Sequence, residues 1–142
     1  MESLLTRKGR GDLAELKVAY DLVSRGYRIA FPYGEDWDFD LIVLRDDILE
    51  RVQVKYSTPS NGVLCVRCGS HSLTNGKVRR TKHYTAEMIG WLAVYDPVTD
   101  RCFYIPAHEL GSGMSNLHLR LTPTRNGQST GIRYAEDYAS LP

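Results

Sequence analysis

Asp38-Phe39-Asp40-Leu41-Ile42-Val43-Leu44 and, after a short polar break, Glu50-Arg51-Val52-Gln53-Val54-Lys55 form the stretch on which the fold turns. Both arms alternate apolar with polar residues and are rich in β-branched types, which predicts the two strands of a hairpin. The break holds Asp46-Asp47, residue types that turns accept. A hairpin symmetric about that pair sets Asp40 opposite Gln53 and Asp38 opposite Lys55. Direct partners on antiparallel strands share a face, with Cβ atoms about 5 Å apart. One face then carries Asp38, Asp40, Gln53 and Lys55, joined near the turn by Ile42 and Leu44. Leu41, Val43, Val52 and Val54 fill the other.

Two acids, an amide and an amine on one sheet face are costly to bury unless they pair or hold a cation. The plain alternative is the solvated face of an ordinary hairpin. The combination of types favours a site. Carboxylate and amide oxygens suit a hard, oxygen-seeking cation, and a lysine two residues on can reach the same anion.

Asp40, followed thirteen positions later by Gln53-x-Lys55 and preceded by Glu15 on a predicted helix, resembles the PD-(D/E)XK nuclease superfamily. The chain is most similar to the group I intron homing endonuclease branch, in which glutamine opens the final pair. The likeness takes in Gly11-Asp12-Leu13-Ala14-Glu15-Leu16, Arg51 to Lys55, Arg125-Asn126-Gly127-Gln128 and Gly131 to Tyr138. It implies an α/β fold: a restriction-endonuclease-like core of one domain, residues 1–142. In that core a mixed central β-sheet carries an N-terminal helix packed on it and additional C-terminal strands. It also implies a magnesium-dependent endonuclease acting on double-stranded DNA, with manganese as a possible substitute. Asp40, Gln53, Lys55 and Glu15 would be catalytic; Asp40, Gln53 and Glu15 would hold the metal, Glu15 through water. Asp38 competes as a ligand if the register differs by a full pair. Glutamine in place of the superfamily's glutamate leaves the site one negative charge poorer. Cutting both strands implies a homo-oligomer, a dimer or a tetramer. Two other readings stay open: a structure-specific nuclease resembling archaeal Holliday junction resolvases, and a non-catalytic DNA-binding module.

The whole sequence is compatible with this. Its 142 residues suffice for one real core, and 42% hydrophobic with 25% charged residues is an ordinary globular composition. No apolar run could span a bilayer, and no N-terminal stretch has the pattern of a signal peptide. Three cysteines argue against a disulfide framework and for a reducing compartment, hence a cytoplasmic location. A net charge of +1 means that any phosphate-binding surface must be local. Lys8 and Arg10 beside Arg7, then Lys77, Arg79, Arg80 and Lys82 beside His83 and Tyr84, are the candidate DNA contacts. Arg125 joins them from the tail, where Gln128 and Arg133 are further candidates; solvated loops and surface salt bridges are the alternative.

Outside the hairpin, Leu13, Leu16, Tyr20 and Val23 recur at helical spacing, with Ala19 and Leu22 broadening the stripe, and predict a helix over Asp12–Ser24. Asp12 can cap it, or it starts earlier near Thr6, and Gly26 ends it. Glu15 flanks the stripe, where its plain role is a capping partner. Tyr27–Phe31 reads as a strand and 32–37 as a loop, whose Glu35 and Asp36 are set aside as poorly fixed. Gly62–Arg67 reads as a strand. Cys65-x-x-Cys68, with His71 and His83, invites zinc, but no second pair exists and positions three apart on a strand face opposite sides. Gly69–Thr85 reads as a long basic loop folding over DNA, and Ala86–Gly90 as a helical turn. Trp91–Tyr95 and Arg101–Ile105 form a second hairpin, Ala107–Leu110 a turn of helix, and Leu117–Leu121 an edge strand before a turn-rich tail.

Overall fold

The computed structural model describes residues 4–74 and 77–142, with backbone alone for 71–74 and 77–80. Helix α1 spans Arg7–Ser24. Thr6 caps it, its Oγ1 accepting from the Gly9 amide at 3.0 Å, so the earlier of the two predicted starts is the real one. Gly26, at φ +94°, takes the left-handed conformation just past the end. The buried stripe is Ala14, Val18, Ala19 and Leu22, whereas Leu16, Tyr20 and Val23 are exposed. The stripe is thus centred on smaller residues than helical spacing of the bulky ones predicts. Small side chains at 14 and 19 let the helix lie close to a sheet, which turns the larger ones outward.

Among the described residues nine strands follow: β1 (Arg28–Ala30), β2 (Leu41–Arg45), β3 (Ile48–Tyr56), β4 (Val63–Arg67), β5 (Gly69–Thr74), β6 (Lys77–His83), β7 (Trp91–Asp96), β8 (Arg101–Pro106) and β9 (Asn116–Arg120). Five of them form the central sheet in the order β1-β2-β3-β7-β8. β3 and β7 are parallel and the other neighbours antiparallel, so the sheet is mixed as anticipated. β2 and β3 pair Leu41 with Val52 and Arg45 with Ile48, the register symmetric about Asp46-Asp47. Both aspartates sit at positive φ, 51° and 62°. A two-residue turn of that hand matches the strands' twist, and Asp tolerates it better than most residues.

Strand periodicity decides what covers each face. Trp91, Ala93, Tyr95, Cys102 and Tyr104 join Leu41, Val43, Val52 and Val54 beneath α1. Leu92, Val94, Phe103 and Ile105 pack on the opposite face under Leu64, Val66, Leu117 and Leu119 of the β4–β9 pair. β7 is therefore buried along its whole length. Phe103 is fully buried in this second layer, and Phe103→Ala is expected to cost about 3–5 kcal/mol. Against a total stability of about 5–15 kcal/mol that is a large fraction; a urea midpoint equal to wild type would contradict this packing.

Of Gly69–Thr85, expected as a loop, residues 69–74 and 77–83 form the antiparallel ribbon β5–β6. Alternation of apolar with polar residues is the ordinary strand signal. It is missing here because, among the described residues, the ribbon joins no further sheet; its aliphatic residues Leu73 and Val78 are opposite each other in the register. The remaining signal is the Asn75-Gly76 dipeptide, a strong hairpin marker in any sequence. Single turns of 3-10 helix lie at Ala107–Leu110 and Ala135–Tyr138. Among the described residues no helix is long and apolar enough to cross a membrane.

Candidate active site

The site is built where β2 begins. The Asp40 amide donates to Val52 O at 2.8 Å, and the Val54 amide donates to Asp40 Oδ2 at 2.9 Å. The Asp40 carboxylate thus takes the place of the next backbone carbonyl on the ladder, which fixes its position against β3. Its second oxygen has no protein partner among the described residues. Burial raises the Asp40 pKa; the Val54 N–H and the nearby Lys55 ammonium oppose that rise.

Lys55 stands beyond Val54, on the face that also holds Gln53 and, from β7, Leu92 and Val94. Its Nζ donates to Gly69 O at 3.1 Å and lies 5.2 Å from the centroid of the Tyr84 ring. Burial lowers its pKa, while the Asp40 carboxylate pulls it back up. Gln53 is only 9% exposed, and no buried side-chain polar atom is left without a partner among the described residues.

Glu15 approaches from α1, on the other side of the sheet edge. Its pKa is pushed up to about 7 by burial first, then by the charges of Asp40 and Asp12. Asp40 is thus the group that senses both Glu15 and Lys55, so the structure brings Glu15, Asp40 and Lys55 into one electrostatic neighbourhood. An open cleft of about 250 Å³ is lined by Glu15, Asp40, Phe31, Trp37 and Phe39, and also by Glu35 and Asp36. The last two, on a loop that the sequence alone does not fix, thus line the same cleft as Glu15 and Asp40. The available hint was the density of acids at 35, 36, 38 and 40.

Asp38 departs from the symmetric hairpin. Strand pairing starts only at Leu41, and Asp38 instead makes a 2.6 Å ion pair with Lys82 of β6. It is not opposite Lys55, and one of its carboxylate oxygens is taken up by Lys82. Lys82, proposed as a DNA contact, is partly neutralised by the same pair. Tyr84 is a clearer correction: it is buried, and its hydroxyl meets Ser70, so it supports Lys55 and offers nothing to a surface phosphate. The side chains of Lys77, Arg79 and Arg80 lie outside the described residues; their backbone runs along β6. Lys8 and Arg10 are exposed on the first turn of α1, Arg10 with its guanidinium 6.0 Å from the Tyr56 ring. Arg125 is exposed beside a polar groove shared with Arg120, Asn126 and Gln128, whereas Arg133 is paired with Glu109 at 3.1 Å.

Cys65 is exposed, Cys68 is buried, and neither is in a disulfide. No group of three or more His, Cys, Asp or Glu side chains suited to a metal occurs among the described residues, and the side chain of His71 lies outside them. At the candidate site, a cation would draw on two carboxylates and an amide oxygen, with water and substrate completing the shell. That donor set is all oxygen, and burial raises both acids, Glu15 further by the charges of Asp40 and Asp12, which fits a hard divalent ion.

A family of sequences described as PD-(D/E)XK endonuclease matches residues 5–141 of this chain. Among solved structures, that of a bacterial homing endonuclease, I-Ssp6803I, is similar with a TM-score of 0.76 at 21% sequence identity. The likeness covers 94% of this chain and 88% of that one. No curated protein matches.

Proposed function

This chain belongs to the PD-(D/E)XK endonuclease family, and from that premise we propose that it is a magnesium-dependent, site-specific endonuclease of double-stranded DNA, of the homing type. Nucleases of this family generally use divalent metal ions. The observation that carries the reading is Asp40: fixed by the Val54 amide, it shares its field with an acid from the helix and an amine from β3.

Asp40, Gln53 and Glu15 would hold magnesium, or manganese in its place, which supplies Lewis acidity and a bound water of lowered pKa. Asp40, locked at one oxygen, presents the other. Gln53 offers a neutral oxygen on the face that also holds Lys55. Lys55, held by Gly69 O and the Tyr84 ring, places a positive charge where the scissile phosphate gains negative charge, and its N–H groups orient the attacking water. A partly desolvated ammonium does this more strongly than a hydrated one. Lys8, Arg10 and Arg125 neutralise phosphates along the duplex, contributing affinity without sequence preference. Two copies of the chain, one per strand, make the double-strand cut.

A duplex library of random sequence incubated with the protein and magnesium tests this. Cut ends that share one sequence, absent with a chelator present, are expected. Cleavage confined to four-way junctions, or none with either metal, would reject the homing assignment.

A further inference from the structure

The β5–β6 ribbon is where the chain's basic charge is concentrated. Residues 69–85 contain Lys77, Arg79, Arg80 and Lys82 and no acid, whereas the whole chain carries 18 lysines and arginines against 17 acids. Taking away these four leaves fourteen cations against the same seventeen acids, so the remainder is net negative. The ribbon is also tied at its base to the candidate active site. Gly69 O accepts from Lys55 Nζ at 3.1 Å, Lys82 pairs with Asp38 at 2.6 Å, and the Tyr84 amide donates to Cys68 O at 3.0 Å. At Gly69 a Cβ would meet Lys82 O at 2.3 Å, so the two strands close tightly there. A duplex with a phosphate at Lys55 must pass this base.

The register sorts the ribbon's residues. Ser70 is opposite Lys82 and Ser72 opposite Arg80, so these four share one face, and the Asp38 pair ties that face to the site. A register shift between Ser72 and Leu73 leaves Arg79 as the extra residue between two paired positions. Bulges of this kind re-aim a side chain and recur beside functional sites. The major groove, about 12 Å wide, admits a two-stranded ribbon, and arginine recognises guanine there by two hydrogen bonds.

We propose that the β5–β6 ribbon is a base-reading arm that enters the major groove beside the scissile phosphate, with Arg79 and Arg80 as the residues that select bases. This rests on the nuclease reading and deepens it from phosphate binding to sequence choice. The edges of the ribbon would otherwise invite pairing with a second copy, but Lys77, Arg79 and Arg80, with no acid among residues 69–85, oppose that.

Arg79→Ala, Arg80→Ala and the double variant, cutting the random-sequence library in magnesium, provide the test. The expected result is loss of preference at one or two adjacent positions near the cut, by about 10–100-fold for the wild-type base. Unchanged preference, with or without uniformly weaker cleavage, overturns the proposal, because phosphate contacts alone would give it. A second measurement does not depend on catalysis. Wild-type binding to duplex in calcium, followed by fluorescence anisotropy, is expected to be displaced by the major-groove ligand methyl green and resist the minor-groove ligand netropsin. Groove-selective binding without cleavage sinks the nuclease reading and leaves the arm standing. Cleavage with netropsin-sensitive, methyl-green-resistant binding does the reverse, and absence of DNA binding rejects both. A changed oligomeric state of the double variant in light scattering would instead identify the ribbon as a contact between copies and overturn the arm.

Discussion

Lys55→Ala and Asp40→Ala proteins are expected to nick supercoiled plasmid at least about 1000-fold more slowly than wild type in magnesium, since even one preorganised donor contributes about 100–1000-fold. Duplex binding in calcium should persist, because neither group belongs to the exposed basic surface that supplies affinity. The two substitutions remove different things. Without Lys55 the positive charge near the phosphate is gone and Gly69 O loses a donor. Without Asp40 the fixed carboxylate is gone and the Val54 amide loses its acceptor, which by itself costs about 1–3 kcal/mol of stability if that amide stays buried. Asp40→Asn separates the two effects, since an amide oxygen can accept from Val54 N–H while carrying no charge. Its thermal midpoint should stay close to wild type while its nicking rate falls with that of the alanine variant. Nicking by Asp40→Asn or Lys55→Ala within tenfold of wild type would remove the catalytic assignment.

Those residues were legible because the hairpin is specified locally. Alternation in both arms fixes the faces, the acidic turn fixes the register, and a one-residue slip would have buried Asp40 and Gln53 in the layer under α1. Glu15 was legible only through the family pattern. Nothing in helical periodicity shows that position 15 comes to rest against Asp40; that depends on how closely Ala14 and Ala19 let α1 approach. Asp38 was misplaced for a related reason. Its partner Lys82 lies forty-four positions away on a ribbon with no apolar period to announce it. Tyr84 was misjudged because a tyrosine in a basic run resembles a phosphate contact, while its burial is imposed by β4, β9 and Lys55. Local pattern wrote the sheet; the encounters between distant segments did not show in it.

Calcium affinity of the metal-free protein is expected to fall about tenfold for each pH unit below about 7, and to level off above it, because a ligand must be deprotonated to bind. Glu15 sets that value, its carboxyl raised to about 7. On the acid side the folded protein holds a proton that the cation must displace; on the alkaline side it does not. Asp40, also raised, steepens the fall at lower pH, and the two acids titrate as a coupled pair. The sign for stability is the opposite of a salt-bridged carboxylate. A folded pKa above the ordinary 4.5 favours the folded state in acid, and that contribution is lost as pH rises from about 4.5 through about 7. Glu15→Gln should therefore flatten the calcium dependence and, without metal, raise the thermal midpoint relative to wild type at about pH 8 but not at about pH 5. Calorimetric titration with calcium reads the first effect and scanning calorimetry the second. An affinity that stays constant from about pH 5 to about pH 7, or a Glu15→Gln protein with the wild-type slope, would mean that Glu15 does not belong to the metal site.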